Sequence, residues 1–283
     1  EWFRHAVCYQ IFPDRFHCSD RKRFLQAAAN YRATGRPIFV HDDWNEQPYD
    51  RPHGGAKDYI PDDYFGGDLN GIREKLPYLR DLGVGVLYLN PIFLASSNHK
   101  YDTANYLQLD PGFGTEEDFS ALCREAGDMG IRILLDGVFS HTGDDSLYFN
   151  RYGNYPEPGA FSQEGSLYDE WYRFGPEYPK GYDCWWDVDA LPNINEDNET
   201  YRELICGENG VIRKWLRLGA SGWRLDVADE LPDDFIRAIR TAAKAEKPDA
   251  LILGEVWEDA SNKISYNERR RYFAGDELDC TMH

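Results

Sequence analysis

Short apolar runs alternate with amphipathic segments along most of the chain. The apolar runs have the length and composition of buried strands and cover residues 6–12, 84–89, 131–139, 222–227 and 251–256. The segments with helical spacing lie at residues 69–82, 115–129, 199–218 and 232–247. Because strands that alternate with helices assemble into parallel sheets, this pattern predicts an α/β fold.

The number of strands indicates part of a closed barrel. Five complete strand-like runs are followed by Thr281, where we expect a sixth strand to start. An open parallel sheet would leave unpaired edges and exposed apolar faces. We therefore predict a TIM (β/α)8 barrel that is incomplete in this chain, with about five strands and the start of a sixth.

Two long polar and aromatic segments interrupt the alternation. Residues 17–64 are longer than an ordinary βα loop, and residues 142–198 follow the third strand. Insertions after barrel strands lie at the carboxyl-terminal rim, where substrate sites are built. We predict three parts: residues 1–141 with strands 1–3, an inserted subdomain at 142–198, and residues 199–283 with strands 4 and 5 and the start of strand 6.

The charge and the aromatic content narrow the class of partner. The 283 residues include 50 acidic and 31 basic side chains, with a formal net charge of -19. Nucleic acids and anionic membrane surfaces both require basic patches, so neither is an expected partner. The chain also has 8 Trp and 19 Tyr, which suit a groove where neutral sugar rings stack.

The cysteine usage predicts a reducing compartment, the cytoplasm. The six cysteines are scattered and form no C-x-x-C pair, unlike a disulfide framework or a zinc site. The sequence has no signal peptide and no apolar run of membrane length. The chain opens at Glu1 rather than Met, so we expect that an N-terminal segment is missing.

Two acidic residues at the ends of consecutive strand-like runs form the strongest chemical signal. Asp226 and Glu255 are separated by one predicted helix, and in a parallel sheet both would reach the same rim. An Asp and a Glu facing each other are typical of a retaining glycosidase, whose carboxyl groups lie roughly 5 Å apart. Arg224 shares the strand face of Asp226 and is expected to keep that carboxylate ionised.

Seven short motifs occur in an order that resembles one enzyme family. They are residues 9–16 (YQIFPDRF), 65–69 (FGGDL), 97–103 (SNHKYDT), 136–141 (DGVFSH), 191–195 (LPNIN), 222–228 (GWRLDVA) and 254–257 (GEVW). Over nearly its whole length the chain resembles the α-amylase superfamily, glycoside hydrolase family 13. Within it, the motifs are most similar to the neopullulanase, cyclomaltodextrinase and maltogenic amylase group. The resemblance implies a truncated catalytic domain with a subdomain inserted after strand 3.

Carried over position by position, the resemblance implies a catalytic pair and a sugar site. Asp226 would be the nucleophile and Glu255 the general acid/base. Arg224 and His141 would hold the sugar at the cleaved bond and the nucleophile beside it. Tyr101 would be the platform on which this sugar ring stacks.

The resemblance also implies supporting positions and one missing position. Asp102 would support the surroundings of Tyr101, Asp136 would brace Arg224 and the strand ends, and Trp257 would line the adjacent subsite. The family's fourth signature, a His-Asp pair after the seventh strand, does not occur in the chain. The third catalytic Asp is therefore expected to lie outside it.

Several of these residues also have a purely structural interpretation. Asp226 would then form only a strand-end ion pair, His141 would be a buried structural histidine, and Tyr101 would pack a loop. The adjacent Trp185 and Trp186 would either grip a sugar or close the small core of the insertion.

No cofactor is expected, and calcium stays open as an alternative. Some members of the family carry a calcium loop after the first strand, and here Asp20, Gly66 and Asp68 match that pattern without the usual Asn ligands. His99 and the other histidines have no spacing typical of metal ligands.

Together these features predict a retaining hydrolase of α-glucans. It would cleave α-1,4 bonds, with α-1,6 bonds as an option, in maltodextrins, cyclodextrins, pullulan or starch through a covalent glycosyl-enzyme. The alternatives are a glycosyltransferase of the same family and a non-catalytic interaction protein on the same barrel. We expect the 283-residue chain by itself to be inactive, and we consider a homodimer for the full-length protein.

Overall fold

A computed structural model of the protein describes residues 2–33, 38–54, 56–57 and 59–282. Its strands are β1 (Val7–Ile11), β2 (Phe39–Val40), β3 (Asp63–Tyr64), β4 (Val84–Leu89), β5 (Phe93–Ala95), β6 (Thr103–Leu109), β7 (Arg132–Gly137), β8 (Gly222–Leu225), β9 (Leu251–Glu255), β10 (Ile264–Ser265), β11 (Glu268–Arg269) and β12 (Cys280–Met282). Its helices are α1 (Arg21–Ala33), α2 (Leu69–Glu74), α3 (Leu76–Asp81), α4 (Glu116–Asp128), α5 (Glu199–Cys206), α6 (Val211–Arg217) and α7 (Asp233–Glu246). Within the described ranges, none of these helices combines the length and the apolar character needed to cross a membrane.

Six of the strands form one parallel sheet. Their order across the sheet is β1-β4-β7-β8-β9-β12, and every neighbouring pair runs parallel. The sheet forms an incomplete half-barrel, which confirms the predicted fold class. The expected start of a sixth strand at Thr281 is confirmed by β12, where this residue lies opposite Gly254 of β9.

Both faces of the sheet are covered by apolar side chains, as parallel strands require. Val86, Tyr88 and Leu134 belong to a small cluster on the inner face of the half-barrel. Leu87 and Leu135, which alternate with them, belong to the large core shared with the surrounding helices. Because successive strand residues point to opposite faces, even-numbered positions on β4 and β7 face inward.

The strand register brings the candidate residues to one edge of the sheet. Asp136 on β7 lies opposite Arg224 on β8, and Arg224 lies opposite Leu253 on β9. Asp226 and Glu255 stand two residues further along these last two strands, so they share the inner face with Arg224. The carboxyl-terminal edge of the sheet therefore carries all of these polar side chains.

Two segments predicted as single helices are each divided in two. Residues 69–82 form α2 and α3, because Pro77 in the first turn of α3 has no N–H to continue a helix from α2. Residues 199–218 form α5 and α6, which are separated between Gly207 and Gly210, both in extended conformations. The prediction of continuous helices is wrong at these points, since proline and glycine override the apolar spacing.

The segment 17–64, for which no helix was predicted, contains the helix α1. Its buried residues Phe24, Ala27, Ala28 and Tyr31 have the i, i+3, i+4, i+7 spacing of an amphipathic helix. This spacing was overlooked because many polar residues surround it. Residues 34–37, 55 and 58 of the segment lie outside the described residues, as do Glu1 and His283.

The inserted segment 142–198 is organised mainly by aromatic packing. Its 3-10 turns are Ala160–Ser162, Asp169–Trp171 and Trp185–Asp187. The ring of Phe149 lies 4.9 Å from that of Tyr172 and 4.8 Å from that of Tyr182. All three side chains belong to the same buried cluster as the helices around the sheet. The predicted boundaries of this subdomain stay predictions.

Candidate active site

One guanidinium group connects three carboxylates at the carboxyl-terminal edge of the sheet. Arg224 donates from Nη1 to Asp136 Oδ1 at 2.7 Å and to Asp226 Oδ1 at 2.6 Å. Its Nη2 lies 2.9 Å from Glu255 Oε2. Because both terminal nitrogens belong to one planar group, the bound oxygens of Asp226 and Glu255 lie within about 8 Å of each other. This upper bound includes the spacing of a retaining pair, about 5 Å, and also the shorter part of the range for inverting pairs, about 6.5–9.5 Å, so the configuration of the product decides between them.

The turn after β8 directs a backbone N–H toward Glu255. Val227 has a φ of 39°, a left-handed conformation that β-branched residues rarely adopt. Its N–H donates to Glu255 Oε2 at 2.8 Å, so this oxygen has a second donor beside Arg224. Backbone strain of this kind is concentrated at functional sites. The sequence analysis missed Val227, because no sequence pattern marks the backbone strain.

Burial and an excess of negative charge raise the proton affinity of this cluster. Burial and the nearby Asp136 raise the pKa of Asp226 from 3.8 to about 8, although Arg224 acts in the opposite direction. Burial also raises the pKa of Asp136. Arg224 therefore acts in the predicted direction, because it favours the ionised carboxylate, but burial and Asp136 act against it. Three carboxylates share one cation, and this excess of negative charge favours the binding of a proton in the cluster.

Two tyrosines complete the hydrogen bonds of Asp136. Its Oδ2 accepts from the hydroxyls of Tyr88 and Tyr101, the latter at 2.9 Å. The two hydroxyl oxygens lie 3.3 Å apart, so the half-buried ring of Tyr101 is held beside the carboxylate cluster. Sequence reasoning missed Tyr88. The sequence does indicate this residue indirectly. Tyr88 faces inward on β4, the strand next to β7, and the alternation of apolar residues along β4 already defines that orientation.

His141 presents a buried ring nitrogen without a suitable partner. Its Nδ1 lies 3.0 Å from Ser140 Oγ, whereas Nε2 makes no hydrogen bond to any described residue. Burial lowers the pKa of His141 to about 4, although the Tyr101 carbonyl acts in the opposite direction. The imidazole is therefore neutral at neutral pH. A buried polar atom without a partner is costly. Because Nε2 has no exposed surface in the free site, its contact with a ligand stays a prediction.

Asp102 holds the loop that carries Tyr101. Its Oδ2 accepts from the Ser96 hydroxyl at 2.6 Å and from the Ser97 N–H at 3.0 Å. Its Oδ1 accepts from the Ser97 hydroxyl. Both carboxylate oxygens are thus engaged within the loop, and this arrangement fits the supporting role expected for Asp102.

Two exposed tryptophans lie beside the carboxylates. The rings of Trp186 and Trp257 are 6.5 Å apart, and these residues are 69% and 55% exposed. The indole N–H groups of Trp185 and Trp186 donate to the two oxygens of Glu230, at 3.0 and 3.1 Å. Trp186 therefore does not close a core of the insertion. Glu230 was missed, although it follows Asp226 by four residues in the sequence.

The residues of the degraded calcium pattern do not fit a calcium ion. Asp68 Oδ1 accepts from Ser19 Oγ and the Gly71 N–H, and Oδ2 accepts from the N–H groups of Ser19 and Asp20. Arg23 Nη2 lies 3.2 Å from the same Oδ2. These contacts use the acceptor capacity of the carboxylate, and a guanidinium stands where a cation would approach. In the described part of the chain, no group of three or more His, Cys, Asp or Glu side chains is arranged to hold a metal.

Comparisons with known proteins agree with this architecture. The family model described as "Alpha amylase, catalytic domain" matches residues 10–283. The chain therefore belongs to the α-amylase family, glycoside hydrolase family 13, and the resemblance noted from its motifs is confirmed.

Individual relatives place it among enzymes named for pullulan and related glucans. An amylopullulanase of Thermoanaerobacterium saccharolyticum is 42% identical over 99% of this chain and 24% of its own length. Neopullulanase 2 of Thermoactinomyces vulgaris is 38% identical over 100% of this chain and 42% of its own. Among solved structures, the cyclic α-maltosyl-(1→6)-maltose hydrolase of Arthrobacter globiformis has a TM-score of 0.73 and 32% identity, covering 98% of this chain and 54% of that one. The chain thus spans less than half the length of the two curated relatives.

Proposed function

We propose that the protein is a retaining α-glucan hydrolase in which Asp226 is the nucleophile and Glu255 the general acid/base. The observation that carries this proposal is the Arg224 guanidinium, which binds Asp226 Oδ1 at 2.6 Å and Glu255 Oε2 at 2.9 Å. It holds two carboxylates from adjacent strands on one face, at a separation compatible with covalent catalysis.

The proposed reaction assigns each carboxylate a separate task. In the reactive form the proton shared by the carboxylate cluster is on Glu255 and Asp226 is ionised. The Asp226 carboxylate attacks the anomeric carbon while Glu255 gives this proton to the departing glycosidic oxygen. Because Glu255 Oε2 accepts from Arg224 and the Val227 N–H, the proton is carried on Oε1. In the second step Glu255 removes a proton from water, which attacks the glycosyl-enzyme and releases Asp226. Two inversions give net retention of configuration.

Three neighbouring side chains would position the sugar. The Tyr101 ring would stack under the reacting unit, since its hydroxyl is fixed to Asp136 at 2.9 Å. His141 Nε2, which has no bond to the described residues, would contact a sugar hydroxyl. The exposed indole of Trp257 would line the adjacent subsite.

The substrates we propose are maltodextrins, cyclodextrins, pullulan or starch, with cleavage of α-1,4 bonds and of α-1,6 bonds as an option. Support comes from relatives named amylopullulanase and neopullulanase, and from a structural neighbour named as a hydrolase of a cyclic maltosyl-maltose. No calcium or other cofactor is part of the proposal, because Arg23 already pairs with Asp68.

The decisive experiment follows the anomeric configuration of the first product. The full-length protein is incubated with cyclodextrin, pullulan and starch, and freshly released sugars are observed by NMR before mutarotation. The proposal expects the α-anomer and no turnover by Asp226→Asn. Release of the β-anomer, or a variant that retains most of the rate, would overturn the assignment. A protein that binds these glucans without hydrolysing any of them would support the non-catalytic alternative.

Glycosyl transfer remains the second candidate, and the exposed pair Trp186 and Trp257 favours it. Two aromatic faces beside Glu255 would hold an acceptor sugar in competition with water. Maltotriose decides between the two reactions, because longer oligosaccharides among the products indicate transfer.

Some further expectations also remain proposals. The six cysteines are all free, which supports a reducing compartment such as the cytoplasm. A homodimer and the inactivity of the 283-residue chain by itself stay predictions.

A further inference from the structure

An aromatic pocket outside the carboxylate cluster lies in the long segment after β1. Its volume is about 500 Å³, and its lining includes Trp44, Tyr49, Tyr59 and Phe65 together with the polar side chains of Arg15 and Asn98. The function proposed above does not use any of these residues.

A single buried carboxylate organises this pocket. Asp63, which is fully buried, accepts from the Tyr49 N–H at 3.0 Å and from Asn98 Nδ2 at 2.9 Å. The Oδ2 atom that accepts from the Tyr49 N–H also forms a hydrogen bond with His41 Nε2, at 2.9 Å. The loop with the aromatic rings is thereby tied to the loop that carries Asn98. A pocket held in this way needs little reordering when a ligand binds.

The chemistry of the lining fits a neutral sugar. Trp44 and Tyr59 are 43% and 45% exposed, so their rings are accessible to a ligand. Trp44 is supported by an edge contact with Phe65, with ring centroids 5.7 Å apart. Rings that offer apolar faces beside polar groups suit a ligand with both apolar and hydroxyl-bearing surfaces.

The charge distribution excludes a phosphorylated ligand. Arg15 is paired with Asp14 and lies 3.1 Å from Asp63 Oδ1, so its positive charge is already compensated. Glu46 adds a negative charge to the lining. A phosphate would meet no unpaired cation here, whereas a sugar hydroxyl can accept from Arg15, whose guanidinium has five N–H groups. Asn98 is not such a donor, because its Nδ2 already donates to the Asp63 carbonyl oxygen and to Asp63 Oδ1, both at 2.9 Å.

The pocket and the candidate active site share one loop and one edge of the sheet. Asn98 precedes Tyr101 by three residues, and the intervening His99 ring lies 5.7 Å from the Tyr101 ring. Phe12, at the end of β1, also lines the pocket, so the pocket opens at the same carboxyl-terminal edge of the sheet. A glucan chain that leaves the reacting unit on this side would therefore run toward the pocket.

We propose that this pocket binds a glucosyl unit of the same α-glucan, away from the bond that is cleaved. The proposal rests on the proposed function and extends it, since it makes the protein selective for longer chains. A trisaccharide that spans the cleaved bond places at most two units on either side, so it gains little from the pocket. A maltodextrin of seven or more units fills it.

The test compares substrates of two lengths. In the full-length protein, Trp44→Ala is expected to lower kcat/KM for maltoheptaose about tenfold, an amount set by loss of one aromatic contact. For maltotriose kcat/KM should stay unchanged. Trp44→Phe should retain most of the rate because it keeps a stacking face. Tyr78→Ala, which removes an exposed ring on α3, is the matched control. It should leave kcat/KM unchanged for both substrates.

A binding measurement separates this proposal from the proposed function. Calorimetry with maltoheptaose in the Asp226→Asn background should show weaker affinity after Trp44→Ala, by the same factor. If Trp44→Ala lowers kcat/KM equally for maltoheptaose and maltotriose, or for neither, the proposal that this pocket binds a glucosyl unit is wrong. The hydrolase assignment would not be affected by that result. A parent protein without hydrolysis but with Trp44-dependent binding would overturn the hydrolase assignment and support the pocket.

Discussion

Asp226 and Glu255 are bound to the two terminal nitrogens of one guanidinium, at 2.6 and 2.9 Å. Their positions are thus defined by Arg224, whose side chain is 5% exposed. The backbone contributes as well, because the Ala228 N–H donates to the Glu255 carbonyl at 2.9 Å. Small changes in this arrangement should therefore have larger effects on turnover than on folding.

Arg224→Lys tests the need for a planar, two-pronged cation. Lysine keeps the positive charge but cannot hold two carboxylates on two nitrogens of one rigid group. We expect kcat to fall by about a hundredfold or more, as misplacement of reacting groups by about 1 Å can cause. The measurement is kcat on a maltodextrin together with the melting temperature, and Arg80→Lys at an exposed position on α3 is the control. Retention of the parent rate would contradict the central role of the guanidinium.

Asp226→Asn should stabilise the fold at alkaline pH. The pKa of Asp226 is raised from 3.8 to about 8 by burial, so the folded state binds this proton more tightly than the unfolded state. The contribution of this group to the free energy of unfolding is complete below about pH 4 and is lost as the pH rises toward 8. Asparagine cannot ionise and avoids this loss.

The melting temperatures of parent and Asp226→Asn should therefore diverge between pH 5 and pH 9. We expect the melting temperature of Asp226→Asn to exceed that of the parent by several degrees at pH 9 and by less at pH 5. The conversion is about 2–4 °C per kcal/mol. Asp128→Asn, at the exposed end of α4, should show no such dependence. A gain that is larger at pH 5 would contradict the raised pKa.

His141→Gln tests the unpartnered ring nitrogen. If Nε2 contacts the sugar, the change should lower kcat/KM about tenfold, which corresponds to loss of one hydrogen bond. A purely structural histidine would instead show its effect in the melting temperature. The exposed His5→Gln is the control. A large drop in melting temperature with unchanged kcat/KM would favour the structural interpretation of His141.

Removal of calcium should leave the protein unchanged. Arg23 pairs with Asp68 at 3.2 Å and with Asp118 at 3.0 Å, so its guanidinium occupies the place of a cation. We expect a chelator to leave the melting temperature unaffected. Arg23→Ala should lower it by a few degrees, because two carboxylates lose their partner. The exposed Arg124→Ala should have little effect, and a fall in melting temperature on chelation would refute this expectation.

The fold and the identity of the central residues were accessible from local patterns. The alternation of apolar runs predicted the strands that became β1, β4, β7, β8 and β9, and it also indicated β12. The helix breaks at Pro77 and Gly207 do not follow from apolar spacing, which runs on across both of these residues. The helix α1 was missed because its apolar face lies within a strongly polar segment.

The sequence by itself determined the order of elements, the family and the chemical types available at the sheet edge. These follow from short-range periodicity and from motifs in which spacing alone places side chains on a face. Only the tertiary structure decided that Arg224 is shared by three carboxylates, that Tyr88 joins the site, and that Trp186 is exposed. The physical reason is that proton affinity and solvent exposure depend on how many groups from distant strands converge, which no local pattern encodes.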